Sequence, residues 1–224
     1  MPEKFGRVIP FYGATDGALF EIERRTMDRD GHVLAAIDAL LPGGVVLDTG
    51  AGDGFTAERL TRSDRRVLAI EPAAGMIDRR RPLPWVRAVV QSLPFRDHSL
   101  DAAYATWAYF FPDIGYGEPG LAEWHRVVRP GCPLIVADNA GDDAFSALDA
   151  EPVETGETRA WWTSQGFRQE IIETAFRFDS VTEARRLLGF YFGDRGREWT
   201  APTISYRVAL YVGVAGEDGC HLQS

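Results

Sequence analysis

The sequence predicts an open α/β fold: a mainly parallel seven-stranded sheet with helices on both faces and an antiparallel last strand. Three observations carry this reading. Short apolar runs alternate with segments of helical periodicity between residues 33 and 137, the first apolar run ends in a turn containing three glycines, and two long strand-like stretches near the C-terminal end flank one more helical segment. A chain of 224 residues with 45% hydrophobic and 12% aromatic residues is long enough to bury one core, so one domain over 1–224 is expected.

The elements follow in order. Val33, Ile37, Leu40 and Leu41 recur at helical spacing behind Asp30, a residue type that caps helices, and Pro42-Gly43-Gly44 stops the run. VVLD at 45–48 is a short apolar run of the kind that forms a strand buried on both faces. Helical periodicity restarts over 55–60, a second strand over 66–70 ends at Glu71, and a helix is predicted over 73–80, stopped by Pro82 and Pro84. Further strands are expected at 85–89, 101–107 and 133–137, with a helix over 120–128. Residues 167–178 and 203–214 read as the last two strands, with a helix over 181–190 between them, and the polar stretch 141–158 as a loop with a short helix. No internal repeat, low-complexity tract or linker divides the chain.

Composition narrows the function classes. The longest apolar runs, such as 45–47 before Asp48, fall far short of the roughly 20 residues of a membrane span. Residues 1–10 carry Glu3, Lys4 and Arg7 and no long apolar stretch, so no secretory signal is expected and a cytoplasmic location follows. Cys132 and Cys220 lie far apart without metal-ligand spacing, which points to structural or incidental cysteines and no metal. A net charge of −9 repels a polyanion, so nucleic acid is not expected as a partner; the triplet Arg79, Arg80 and Arg81 reads as a solvated helix end.

In an open parallel sheet, ligands bind beyond the carboxyl ends of the strands where the strand order reverses, and the turn after the first strand sits there. That turn is Asp48-Thr49-Gly50-Ala51-Gly52-Asp53-Gly54. Its glycines let the backbone pass close beneath a ligand, and the N–H groups at the start of the following helix are expected to face the ligand's polar end. The dinucleotide fingerprint GxGxxG needs a small residue at position 55, where this chain has Phe55. Glu71, at the end of the second strand, is placed to accept hydrogen bonds from both hydroxyls of a ribose.

VVLDTGAGDGF, VLAIEPAAGMI, SLPFRDHSLDAAYA and LAEWHRVVRPG, in that order, resemble the successive motifs of class I S-adenosylmethionine-dependent methyltransferases, in particular small-molecule enzymes related to the ubiquinone and menaquinone C-methyltransferases (methyltransferase type 11). The likeness spans roughly residues 33 to 140. It implies a Rossmann-like fold, S-adenosylmethionine as cofactor with S-adenosylhomocysteine as product, and transfer of the methyl group to a small-molecule acceptor. It places Asp48, Gly50 and Gly52 along the methionine part of the cofactor, with Thr49 and Ala51 of the same turn among its contacts, and Glu71 on the ribose. Pro72, Met76, Ser92 and Leu93 would border the adenine, and Thr106 and Trp107 the sulfonium. Residues 1–32 form a cap segment in which Tyr12 matches an aromatic that closes over the cofactor, and 141–202 a substrate-side segment. One departure stands out: many relatives hold the adenine amino group with an acid where this chain has Val89, which reads as a core strand residue.

Methyl transfer from a sulfonium is an in-line displacement that depends chiefly on alignment, and a general base is needed only if the acceptor atom still holds its proton. Relatives often carry histidines near positions 109 and 110; here the segment reads Thr106-Trp107-Ala108-Tyr109-Phe110-Phe111-Pro112-Asp113. Tyr109 and Asp113 are the nearest polar replacements and the candidate catalytic residues, with pocket shaping and turn capping as their competing roles. His125 falls on a helix running away from the ligand edge, and His98 in a polar turn. Asp138 and Asn139 follow the fifth strand and are better placed to orient a substrate than to move a proton. No NPPY-type segment follows strand four, which argues against amino methylation of nucleobases or glutamine, and the aromatic run suggests an apolar acceptor. The helix over 181–190, with Tyr191 and Phe192, is a candidate lid, although these aromatics and Trp161 and Trp162 fit a core as well. A protein that binds S-adenosylmethionine without catalysing transfer stays open as the second reading, because the histidines are missing and Val89 replaces the acid.

Overall fold

The structure, a computed structural model, describes residues 13, 15–108, 117–150 and 155–216. The chain runs α1 (Gly17–Thr26), α2 (His32–Leu40), β1 (Gly44–Thr49), α3 (Phe55–Leu60), β2 (Arg65–Ile70), β3 (Trp85–Val86), β4 (Ala102–Thr106), α4 (Gly117–Val127), β5 (Pro133–Asn139), α5 (Thr155–Ser164), β6 (Arg168–Arg177), α6 (Val181–Phe192), α7 (Asp194–Arg197) and β7 (Thr203–Val214). One 3-10 turn, Ser146–Leu148, lies in the polar stretch after β5. The sheet order is β3-β2-β1-β4-β5-β7-β6; the first five strands are parallel, and β7 runs antiparallel to both its neighbours. This is the Rossmann-like seven-stranded architecture that the alternation of elements predicts.

Strand alternation divides the core between the two faces. Val46, Val67, Ala102 and Ile135 face a layer built from α1, α2, α3 and α6, where they meet Leu19, Ile37, Leu60 and Leu187. Leu47, Ile70, Ala103 and Leu134 face α4 and α5 through Leu121, Trp124 and Trp162. Strands apolar on both sides are what a parallel sheet covered on both faces requires. The order reverses at β1, which has β2 on one side and β4 on the other. The ligand crevice of such sheets opens there.

Several local expectations are corrected. No helix forms over 73–80: Ala73 N–H is taken by the Glu71 carboxylate (2.8 Å), and Arg80 N–H by the Asp78 carboxylate (3.0 Å). Side chains that bond nearby backbone groups compete with the helix in this way. β3 stops at Val86, so Val89 lies outside any strand. α2 is capped by Asp28 and not by Asp30, with Val33 and Leu34 N–H groups donating to the Asp28 carboxylate at 3.0 and 3.3 Å, while Asp30 pairs with Arg177 on β6. α1, which periodicity did not single out, is capped by Asp16 through Leu19 N–H (2.9 Å).

Arg65 fastens the edge of this layer. It is 6% exposed, and its guanidinium donates to Pro42 O (2.8 Å), Leu41 O (2.6 Å), Leu60 O (3.3 Å), Asp38 O (3.3 Å) and the Asp38 carboxylate (2.6 Å). Those carbonyls belong to the C-terminal ends of α2 and α3, which have no partner within their own helices. Arg65→Met is expected to lower unfolding free energy by about 2 to 4 kcal/mol, since it strands buried carbonyls and a carboxylate together. Urea denaturation measures it; a loss below about 1 kcal/mol would mean that water serves those carbonyls equally well.

Candidate functional site

A cavity of about 750 Å³ opens over the carboxyl ends of β1, β2 and β4. Its floor is the glycine turn from Thr49 to Asp53, one wall is Glu71, Pro72, Ala73 and Met76, a second is Val89, Val90 and Gln91, and a third is Thr106, Trp107 and Ala108. α1 and α2 cover it with Phe20, Arg24, Val33 and Ile37. The volume lies in the range of small-molecule sites, about 300 to 1,000 Å³.

The turn is held down from below. Gly50 and Ala51 N–H groups both donate to Ile70 O (2.9 Å each), Gly52 N–H to the Glu71 carboxylate (2.9 Å), and Gly54 N–H to Ala51 O (2.8 Å). Phe55 N–H, at the start of α3, donates to the Asp53 carboxylate (3.0 Å). The expectation that helix-start N–H groups face the ligand is therefore not met at Phe55. Gly50 has φ +72, and a Cβ there would come within 2.5 Å of the Ala108 methyl, so the β4 end can lie directly on the turn only above a glycine.

Glu71 is 7% exposed and lines the cavity. One of its oxygens accepts from Gly52 N–H and the other from Ala73 N–H, leaving each with acceptor capacity. Burial raises its pKa, and the two backbone hydrogen bonds oppose that rise. Asp48 is a different case. It lies 1% exposed beneath the turn, off the cavity surface, and neither of its oxygens has a hydrogen-bond partner. Tyr104, its neighbour across the β1–β4 register, is fully buried with its hydroxyl likewise unpartnered. Burial pushes the Asp48 carboxyl up to about 7, the facing Tyr104 hydroxyl opposing and the Glu71 charge adding to the rise.

The structure brings Thr49, Gly50, Ala51, Gly52, Glu71, Pro72, Met76, Thr106 and Trp107 together on one cavity. Ser92 and Leu93 are not on its wall: Leu93 is 4% exposed within the core under α4, and the wall runs through Val89, Val90 and Gln91 instead. The reading of Val89 as a core strand residue is thereby corrected. Tyr12, Tyr109, Asp113 and Cys220 lie outside the described residues. His125 accepts from Gly216 N–H (3.1 Å), with its pKa lowered by burial, and is structural. His98 is exposed. Asp138 is pushed up to about 6 by burial and accepts from Asn139 N–H (2.7 Å). Neither Asp138 nor Asn139 lines the main cavity; Asn139 borders a smaller one of about 510 Å³. α6 contributes no residue to the main cavity, which α1 covers in its place. Trp162 is fully buried and fills core, while Phe192, partly buried, packs edge-on against Phe145 and borders the smaller cavity.

Some functional positions had no signal in the sequence. Phe55 carries the guanidinium groups of Arg59, Arg24 and Arg81 at 3.7, 4.8 and 5.5 Å from its ring centroid, and Asp53 pairs with Arg24 (3.0 Å) and Arg81 (3.4 Å). Arg81 thus packs behind two cavity-lining residues, Phe55 and Asp53, and is not part of a solvated helix end. Among the described residues, no group of three or more His, Cys, Asp or Glu side chains could hold a metal ion, and no helix is long and apolar enough to cross a membrane.

The raised Asp48 pKa has a pH signature. The folded state holds the proton to about pH 7, whereas the unfolded chain releases it near 4. The folded state therefore binds more protons between those values, and stability falls as pH rises through that window. Asp48→Asn is expected to be more stable than the parent at pH 8, by on the order of a few kcal/mol, with the gap closing toward pH 4. Urea denaturation of both proteins across this range is the check, and a pH-independent gap would remove the assignment.

Residues 47–136 match the family model described as "Methyltransferase domain". A demethylmenaquinone methyltransferase from Renibacterium salmoninarum is 33% identical over 138 residues, 60% of this chain and 56% of the relative. A malonyl-[acyl-carrier protein] O-methyltransferase from Yersinia pestis is 32% identical over 106 residues, 45% of this chain and 39% of the relative. The chain spans about half the length of the curated relatives it matches. A SAM-dependent methyltransferase from Aquifex aeolicus shares the fold, with a TM-score of 0.54 at 16% identity over 88% of this chain and 96% of that one. Residues 47–136 are thus similar to a methyltransferase domain, and the chain shares its Rossmann-like fold with solved methyltransferases.

Proposed function

We propose that the protein transfers the methyl group of S-adenosylmethionine to a small-molecule acceptor by in-line displacement. The observation that carries this is Glu71: a buried carboxylate tied to the glycine turn, lining a cavity of about 750 Å³ at the switch point of the sheet, with acceptor capacity left on both oxygens. A ribose diol suits those oxygens. Met76, Val89 and Val90 offer apolar contact to an adenine, and Gln91, whose carboxamide both donates and accepts, is the polar side chain available there in place of the absent acid. The fold and the matching domain family imply this cofactor.

When bound, S-adenosylmethionine supplies an electrophilic methyl group on a sulfonium. The chain's own residues then align and dry the site. Phe20, Val33, Ile37 and Trp107 give the cavity apolar and aromatic walls, which favour an apolar acceptor and exclude water. Relatives named as demethylmenaquinone methyltransferases favour a small-molecule acceptor too. A base is required only for an acceptor that still holds its proton, and Tyr109 and Asp113 keep that candidacy. The location that fits is the cytoplasm, and the net charge of −9 speaks against a nucleic-acid substrate.

S-adenosylhomocysteine is expected to raise the melting temperature, because a ligand of the folded state stabilises it by mass action, whereas NAD is not. A shift with NAD alone would sink the proposal. Glu71→Ala should weaken S-adenosylhomocysteine binding by roughly 1 to 3 kcal/mol while the fold survives, as read by calorimetry. Transfer of labelled methyl to one member of a panel of apolar acceptors tests the catalytic half, and binding with no transfer to any of them would favour the non-catalytic reading.

A further inference from the structure

We propose that Tyr206, on the last strand, is a positioning residue for methyl transfer: its hydroxyl fixes the indole of Trp107 on the cavity wall beside the glycine turn. The proposal rests on the cofactor reading above.

Trp107 follows β4 with φ +47, a left-handed conformation that a bulky side chain adopts only under constraint. Two hydrogen bonds hold it there. Its backbone N–H donates to Ala137 O on β5 (2.8 Å), and its indole Nε1–H donates to the Tyr206 hydroxyl on β7 (2.7 Å). An indole can only donate, so the phenolic oxygen accepts, and the Tyr206 proton goes onward to the Asn139 carboxamide oxygen. Each member of the chain has one role.

Tyr206 itself cannot shift easily. It is 1% exposed, and its ring sits against Phe145 and Phe176 with centroids 5.3 and 5.1 Å away. Trp107, by contrast, is half-buried and faces the cavity, and the next residue, Ala108, lies against Gly50. Relaxing the Trp107 backbone would re-aim the indole and lift Ala108 off the glycine turn together. The Tyr206 hydroxyl therefore controls the shape of the wall at a distance. It does not line the cavity, and its proton is committed to Asn139, so it acts through Trp107 and not on the substrate.

The test is Tyr206→Phe, which keeps the packed ring and removes only the hydroxyl. In ¹H–¹⁵N spectra, the Trp107 indole resonance, identified by its absence in Trp107→Phe, is expected to move and to exchange with solvent faster. S-adenosylhomocysteine affinity is expected to fall about three- to tenfold, the scale of one neutral hydrogen bond. Combining Tyr206→Phe with Trp107→Phe should cost less than the two losses summed, because both act on one contact. An unmoved indole resonance, an unchanged affinity, or additive losses would each overturn the proposal. Should Tyr206→Phe fail to fold, Asn139→Ala at an exposed position removes the acceptor at the far end of the chain and should move the same resonance; no movement would overturn the proposal equally. A wild-type protein that binds no S-adenosylhomocysteine would bring down the cofactor reading and this proposal with it. Binding by the wild type with an unaffected indole removes only the role of Tyr206.

Discussion

The carbonyl oxygen of Ile70 accepts hydrogen bonds from both Gly50 and Ala51, and most of the site depends on that pair of contacts. Parallel register sets Thr49 beside Ile70, so β1 and β2 end level with one another. Once β1 stops, the N–H groups of its turn have no strand ahead of them and fold onto the last carbonyl of β2. Glu71 continues the pattern by accepting from Gly52, which fixes the carboxylate at the same time. Because these turn N–H groups are spent internally, the turn presents little polarity of its own; the carboxylate held beside it supplies the recognition chemistry. The conformational cost falls on positions 50, 52 and 54, all at positive φ, where glycine alone is unstrained.

That arrangement was legible in the sequence because it is local: a strand, three glycines and a strand-end acid within 27 residues, 45–71. What was not legible involves competition or distance. The apolar spacing over 73–80 suggested a helix, but periodicity does not register that Glu71 and Asp78 take N–H groups the helix would need. Counting a strand to residue 89 displaced the adenine wall toward Ser92 and Leu93, whereas the short β3 brings Val89 to Gln91 onto it. Phe55 could be read only as evidence against a dinucleotide; its platform of three arginines draws on α1, α3 and the segment before β3, which no spacing rule connects. Tyr206 bonds a residue 99 positions away and carries no motif at all.

A left-handed backbone and two buried polar side chains meet at one end of the sheet. Asp48 and Tyr104 are buried without partners, and Trp107 holds a left-handed backbone, all near the carboxyl ends of β1 and β4. At the opposite end of β2, the Arg65 guanidinium donates to four carbonyls and a carboxylate. Buried polar side chains left without hydrogen bonds beside a crevice, next to a left-handed tryptophan, are features that stability alone does not favour.

The charge pattern carries that argument one step further. Two carboxyl groups flank the glycine turn, Glu71 on the cavity wall and Asp48 beneath the turn, and they differ because their surroundings differ: Glu71 has two N–H donors that favour its ionised form, while Asp48 has none and is held near the point of protonation. Around Phe55 the pattern is the reverse, with Arg24 and Arg59 on the cavity and Arg81 behind them gathered on one ring. Arg59 is lowered in pKa by burial first and then by the charges of Arg81 and Arg24, the expected consequence of crowding like charges. A ligand that brings hydroxyl donors to Glu71 and an anionic group to the arginines would satisfy both ends at once. The ribose diol and the amino-acid carboxylate of the proposed cofactor are groups of those two kinds, and a neutral acceptor adds no charge to disturb them. On the proposed reading, Glu71 serves the cofactor while Asp48 acts only from beneath the turn, and the transfer step is left to apolar walls, as expected for a displacement in which alignment outweighs proton transfer.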